Sequence, residues 1–329
     1  MAKVGDQIIT DRYAIYNADC MDVLRAMPDD SIDATIYSPP FGGLYHYSSD
    51  DRDLSNAGDY EDFFDMYRFI LEEIHRVTVP GRCSAVHTAL VPNVASASFG
   101  SYIDFPGDVI RAHQEVGFEF IARHVIWKEP LGVRRRTMQG NLAHKSIVID
   151  GSLGGMAAPD ELLIFRKKGG ENPVQHSVGL TGEYAGEEQP PAELAKWRGY
   201  DGDQKLNRWS HWIWRRYASS VWDDVRRTRV LPFQDAKDED DEKHVHPLQL
   251  DVIERFIDLR TVPGERVFTP FMGVGSEVYG AVRMGRFGIG AELKKSYFVQ
   301  ATRNMETIDR PLEIAAEPLF DESWVDADD

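Results

Sequence analysis

Apolar residues at Tyr60, Phe63, Phe64, Tyr67, Ile70, Leu71, Ile74 and Val77 succeed one another at spacings of threes and fours. That spacing stacks them on one side of an α-helix over 60–77, and an aromatic stripe of this kind packs into a core. Elsewhere the apolar runs are short and bounded by turn residues, which predicts strands at Tyr13–Asn17, Ala34–Tyr37, Cys83–Ala89, Ile121–Trp127 and Glu161–Arg166. A short helix over Met21–Met27 separates the first two, and Pro80-Gly81 turns the chain into the third. Further on, Arg266-Val267-Phe268 suits a short buried strand and Phe287–Glu292 another. Between them runs a helix through Val278, Ala281, Val282 and Met284 that Gly285 ends. Strand, helix and strand in that order form a βαβ unit, the building block of an α/β fold.

Two connections carry candidate chemistry. In the βαβ unit, Phe271-Met272-Gly273-Val274-Gly275 is a tight glycine loop. Ser276 is the expected N-cap, and Glu277 suits the positive end of the helix. Glu292 closes the second strand, where a carboxylate accepts hydrogen bonds from ribose hydroxyls, so the unit points to a nucleoside-containing ligand. The other connection is Ser38-Pro39-Pro40-Phe41, directly after the strand Ala34–Tyr37 and before Gly42-Gly43. Two prolines lack the amide hydrogens that a strand ladder needs, so the chain stops and turns there with free carbonyls. Fixed acceptors beside an aromatic ring are what methylation of a base amino group requires. A plain proline turn with a buried Phe is the competing reading of those four residues.

Taken together, the segments resemble the DNA amino-methyltransferases that use S-adenosylmethionine, in the permuted order called the β class. In that class the S-P-P-F type of loop precedes the F-x-G-x-G loop, with target recognition between them. The resemblance extends over most of residues 10–305. It includes Asn17-Ala18-Asp19-Cys20 with Leu24, and His246-Pro247-Leu248-Gln249-Leu250 before the cofactor loop. It implies a class I, Rossmann-like fold: a doubly wound, mostly parallel sheet with an inserted recognition region. The implied catalytic residues are Ser38, Pro39, Pro40 and Phe41. The implied cofactor contacts are Asp19, Ser38, Thr269, Pro270, Phe271, Gly273, Gly275, Ser276, Glu292 and His246. Serine as first letter of the loop resembles the cytosine-N4 enzymes more than the adenine-N6 enzymes, which usually carry Asp or Asn. Two positions depart from the family: Thr269 stands where Asp is usual, and Glu277 where Thr is. A threonine hydroxyl can bond an ammonium but brings no charge. Adenine-N6 methylation and a catalytically inactive DNA-binding relative stay open on these residues.

Composition alters this picture in a few places. The formal charge is −17, unfavourable for a DNA-binding protein, yet residues 120–230 hold 18 Lys and Arg against 13 Asp and Glu. A basic insert on an acidic body can still meet phosphates where it touches them. Within 128–233, Arg134, Arg135, Arg136, Arg215, Arg216, Arg226 and Arg227 are the candidate DNA contacts. They are interleaved with Trp197, Trp209, Trp212, Trp214 and Tyr217. Trp212 and Trp214 are expected in a small core of the insert, since large aromatics are mostly buried. The expected organisation is 1–127 catalytic, 128–233 recognition, 234–305 cofactor-binding and 306–329 an acidic disordered tail. A loop over 42–58 is expected to cover the site. Cys20 and Cys83 are the only cysteines and neither follows a proline, which argues against the covalent route to carbon 5 of cytosine. So few thiols suggest a reducing cytoplasm, and no metal-ligand spacing is present. There is no apolar run of membrane-spanning length and no signal-like segment. Duplex DNA is the expected partner. The resemblance admits a cognate restriction endonuclease, and monomer and homodimer both stay open.

Overall fold

A computed structural model describes residues 5–40, 54, 57, 59–92, 101–137, 140–170, 172–186, 188, 207–236 and 247–310. Their strands are β1 (Asp6–Ile9), β2 (Tyr13–Asn17), β3 (Ile32–Tyr37), β4 (Thr78–Ala89), β5 (Val91–Pro92), β6 (Tyr102–Ile103), β7 (Phe118–Ile126), β8 (Asp160–Lys167), β9 (Val221–Trp222), β10 (Arg266–Thr269) and β11 (Phe287–Glu292). Nine of them make one sheet in the order β1-β2-β11-β10-β3-β4-β8-β7-β9, and β5 pairs only with β6. From β2 to β4 all neighbours run parallel. The strand β8 lies antiparallel between β4 and β7. Parallel strands are covered on both faces and therefore read as continuous apolar runs, as in β3 and β10.

Helices supply the two cover layers. On one face lie α1 (Cys20–Ala26), α2 (Tyr60–Val77) and α3 (Phe105–Glu115), which share a core with Ile32, Tyr37, Val86 and Phe165. The helix α2 buries Phe63, Tyr67, Ile70, Leu71, Ile74 and Val77, the stripe expected from its spacing, and Asp59 caps it by accepting from the amides of Glu61 and Asp62. The opposite core, around Ala34, Ile36 and Ile164, is covered by helices at Leu250–Arg260, Ser276–Arg283 and Lys295–Glu306. These are α7, α8 and α9. Chain order places α4 (Pro130–Thr137), α5 (His144–Asp150) and α6 (Arg208–Tyr217) before them.

Two expectations need correction. Pro80-Gly81 does not precede its strand. It sits inside β4 as a bulge, because the register with β3 slips between Ile32↔Thr78 and Ala34↔Cys83, and Gly81 takes up the bend at φ 84°. Within the stretch 128–233, β8 and β9 are strands of the main sheet. Trp214 is 55 % exposed, whereas Trp209, Trp212, Ile213 and Tyr217 form a satellite core with Leu180 and Ala185. Trp212 and Trp214 are two apart on α6, so their side chains leave opposite sides of the helix. Trp197, most of 42–58 and residues 311–329 lie outside the described residues. Among the described residues no helix is long and apolar enough to cross a membrane.

Candidate active site

β10 and β3 are adjacent and parallel, with Val267 opposite Ala34 and Phe268 opposite Thr35. From β10 the chain passes through α8 to β11 on one side. From β3 it passes through α2 to β4 on the other. Connections that diverge from neighbouring strands leave a crevice at the strands' carboxyl ends, the general ligand site of open α/β sheets. The glycine loop and the Ser-Pro-Pro turn, far apart in sequence, meet there. The ring of Tyr37, just before Ser38, makes an edge contact with Phe271 at a centroid distance of 5.8 Å.

The glycine loop is built around Glu292. One carboxylate oxygen accepts from the Gly273 amide at 2.7 Å and the other from the Lys294 amide at 2.8 Å. Asn17 donates to the carbonyls of Glu292 and Leu293, tying the end of β2 to the end of β11. Gly273 and Gly275 have φ of 53° and 94°, a region that strains any side chain. A Cβ on Gly273 would meet nothing within 4 Å, so the backbone faces open space there. Asp19 caps α1 by accepting from the Met21 amide at 2.8 Å, beside this loop. The N-cap of α8 is Gly275, not Ser276, whose hydroxyl is buried without a partner, as is that of Thr269.

Glu277 also departs from its expected part. It is buried in the first turn of α8, and burial pushes its carboxyl up to about 8, with Glu292 adding to the rise. A neutral acid offers the helix dipole no charge. The folded protein therefore holds this proton between pH 4.5 and about 8 while the unfolded chain releases it. Stability falls as pH rises through that window, by roughly 1.4 kcal/mol per pH unit, and levels off above it. Glu277→Gln is expected to remove the slope, so that the variant melts above wild type at pH 8 and not at pH 4.5. Parallel melting curves at both pH values would contradict this.

The Ser-Pro-Pro turn is held from below and from the side. Beneath it, the Tyr37 hydroxyl lies 2.8 Å from that of Tyr67 and 3.4 Å from His113 Nε2. His113 donates from Nδ1 to the Val109 carbonyl and stacks on Phe165, and burial lowers its pKa to about 3. Beside it, Ser38 Oγ lies 3.0 Å from His87 Nδ1. His87 Nε2 faces Asp160 at 3.4 Å, and Lys128 pairs with the other oxygen of Asp160. The sequence reading missed His87, Asp160 and Lys128. A usable signal was present: a histidine inside the apolar strand and an acid at the head of Leu162–Phe165. Burial pushes up both cysteine thiols, so neither is a ready nucleophile. Phe41 and His246 lie outside the described residues.

The expected DNA contacts divide in two. Arg226 makes a bidentate pair with Asp251 and lies over the Tyr184 ring at 3.6 Å. Arg216 pairs with Asp224 and Glu188. Arg226 thereby ties the chain after α6 to α7, and Arg216 ties α6 to its neighbouring connections. Arg215 is exposed over the Trp212 ring. Arg227 reaches the first turn of α4, where its Nη1 would be 2.6 Å from a Cβ on Gly132, so it lies beside the helix bearing Arg134, Arg135 and Arg136.

A doubly wound sheet with a glycine loop, a closing carboxylate and a Ser-Pro-Pro turn at one crevice defines a class I, nucleoside-cofactor transferase architecture. Residues 32–303 match the N6/N4 methyltransferase family, described as DNA methylase, and the chain belongs to that family. It is 25 % identical over 288 residues to the type II methyltransferase M.BglII of Bacillus subtilis, covering 86 % of this chain and 66 % of that one. The chain thus spans just under two thirds of that relative's length. Its fold is similar to that of the PvuII DNA methyltransferase, described as cytosine-N4-specific, with a TM-score of 0.58 at 15 % identity over 94 % of this chain and 96 % of that one. It is likewise similar to a DNA modification methylase of Thermus thermophilus solved with S-adenosyl-L-methionine, with a TM-score of 0.55 at 18 % identity over 89 % and 95 % of the two chains.

The site's own donors fit that cofactor. The Glu292 carboxylate, which accepts from the Gly273 and Lys294 amides, places a hydrogen-bond acceptor at the loop, the kind of group ribose hydroxyls bond. The Thr269 and Ser276 hydroxyls are buried and unpartnered. The open backbone at Gly273 admits a ligand at close range.

Proposed function

We propose that the chain is an S-adenosylmethionine-dependent, site-specific DNA methyltransferase of the permuted β class that methylates the N4 amino group of cytosine. The observation that carries this reading is the meeting of Ser38-Pro39-Pro40 with the glycine loop at one crevice, between parallel strands paired Val267↔Ala34. The serine that opens the turn, and the cytosine-N4 specificity of the PvuII enzyme, favour cytosine. Adenine N6 is the alternative base, because the family spans both activities.

The bound cofactor supplies an electrophilic methyl group, and the chain supplies geometry. A base amino group is paired inside the duplex, so the target nucleotide has to swing out to reach the turn. Ser38 Oγ and the Pro39 carbonyl accept hydrogen bonds from the amino group. That aims the nitrogen lone pair at the methyl donor, and such in-line positioning accounts for most of the acceleration. Phe41 stacks on the extruded base. Glu292 holds the ribose, Asp19 flanks the adenosine, and Thr269 and Ser276 meet polar groups of the cofactor. Arg134, Arg135, Arg136, Arg215 and Arg227 meet phosphates, which position DNA without reading its sequence. Nucleoside mass spectrometry of duplex DNA incubated with protein and cofactor tests the reading, with N4-methylcytosine as the expected product.

A further inference from the structure

Ser38 meets His87, and Asp160 and Lys128 stand behind that histidine. His87 follows Val86, the partner of Tyr37 across β3 and β4, so it stands directly beside Ser38. Asp160 opens β8 opposite Ala89, and Lys128 follows the end of β7. All three are largely shielded, with side-chain exposures of 15 % for His87, 10 % for Asp160 and 20 % for Lys128. Burial opposes charge on Asp160, yet His87 and Lys128 together hold its carboxyl well below the usual carboxylate range. Nothing about a Ser-Pro-Pro turn demands this arrangement. A buried carboxylate behind an imidazole, which in turn contacts a hydroxyl, fixes the tautomer of the imidazole. Asp160 lies 3.4 Å from Nε2, outside hydrogen-bond geometry, and its negative charge draws the ring hydrogen to that nitrogen. Nδ1 is then left as an acceptor 3.0 Å from Ser38 Oγ.

We infer that His87, oriented by Asp160 and Lys128, is a positioning residue that turns the Ser38 hydroxyl hydrogen away from the substrate and receives the proton the amino group loses. The inference rests on the methyltransferase reading above. If Ser38 donates to Nδ1, the oxygen lone pairs that remain face outward, and Ser38 can only accept from an amino N–H. As the amino nitrogen forms its new bond to carbon, the carbon–sulfur bond of the methyl donor breaks and its electron pair stays on sulfur. The nitrogen then carries a positive charge and one proton too many. That proton passes to Ser38 Oγ while the serine's own proton passes to His87 Nδ1. The resulting imidazolium lies next to Asp160 and returns the proton to water when the product leaves.

Other charges bear on this imidazole. On the same face of the sheet, His124 of β7 stands across Leu162 from His87, and burial, with Arg260 and Arg255 of α7 adding to it, lowers the pKa of His124. Asp160, Lys128, Cys83 and Arg166 also stand along that face.

Two measurements test the inference. The first uses the protein without ligand, labelled with ¹⁵N-histidine, the His87 signals being assigned by their loss in His87→Gln. We expect an Nε2–H tautomer with bare Nδ1 in wild type, and a larger Nδ1–H population in Asp160→Asn. An imidazole protonated on Nδ1 in wild type would overturn the inference, even if neither variant folds well. The second compares kcat with cofactor affinity. His87→Gln is expected to lower kcat about a hundredfold, the usual worth of a positioned proton acceptor. Its cofactor Kd should stay unchanged. A variant with wild-type kcat would overturn the inference alone. Wild-type protein that transfers no methyl group to DNA would overturn the underlying reading, and the proton route with it.

Discussion

Ser38→Ala is expected to slow methyl transfer by about a hundredfold or more, the usual loss when one positioned hydrogen-bonding group is removed. The change deletes the only side-chain acceptor of the Ser-Pro-Pro turn and leaves the backbone of Pro39 and Pro40 as it was. The underlying Tyr37–Tyr67–His113 contacts do not involve Ser38, so the turn should keep its place. The loss should therefore appear in single-turnover rates far more than in cofactor affinity, because the serine acts on the nucleophile. Calorimetry and rapid-quench kinetics separate the two. If affinity drops in parallel with rate, Ser38 belongs chiefly to the cofactor site.

Glu292→Ala is expected to produce the opposite pattern. Its carboxylate accepts from the Gly273 and Lys294 amides, so it shapes the loop and, in the proposed complex, also holds the ribose. A hydrogen bond to a charged group contributes roughly 1.5–3 kcal/mol, which corresponds to a tenfold to hundredfold weaker cofactor. The rise in melting temperature that a native-state ligand confers should shrink accordingly. The rate at saturating cofactor should change less. An unchanged Kd would reduce Glu292 to a splint for the glycine loop.

The sequence disclosed most where local chemistry and fold agree. The βαβ unit around Gly273 and Gly275 was legible because strand, glycine loop, helix and closing acid are contiguous and each prefers the conformation it adopts. The helix at Tyr60–Val77 was legible because its apolar period is long and regular. Errors arose where two local preferences competed or where partners are remote. Ser276 looks like a cap, but Gly275 alone tolerates the left-handed turn that starts α8. Glu277 looks like a dipole partner, but packing buries it and removes its charge. Trp214 has the composition of a core residue, and only the helical angle from Trp212 exposes it. The acids that pair with Arg216 and Arg226, Asp224 and Asp251, could not be matched to them from the sequence. The His87–Asp160–Lys128 chain joins three strands, and its members become neighbours only once β4, β8 and β7 pair.

Identification of the modified base tests the central claim most directly. Duplex DNA incubated with the protein and S-adenosylmethionine, digested to nucleosides and resolved by mass spectrometry, should contain N4-methylcytosine, and DNA treated with Ser38→Ala should contain far less. N6-methyladenine as the sole product would contradict the assignment of cytosine, and no methylated nucleoside from any DNA would contradict the assignment of the site itself.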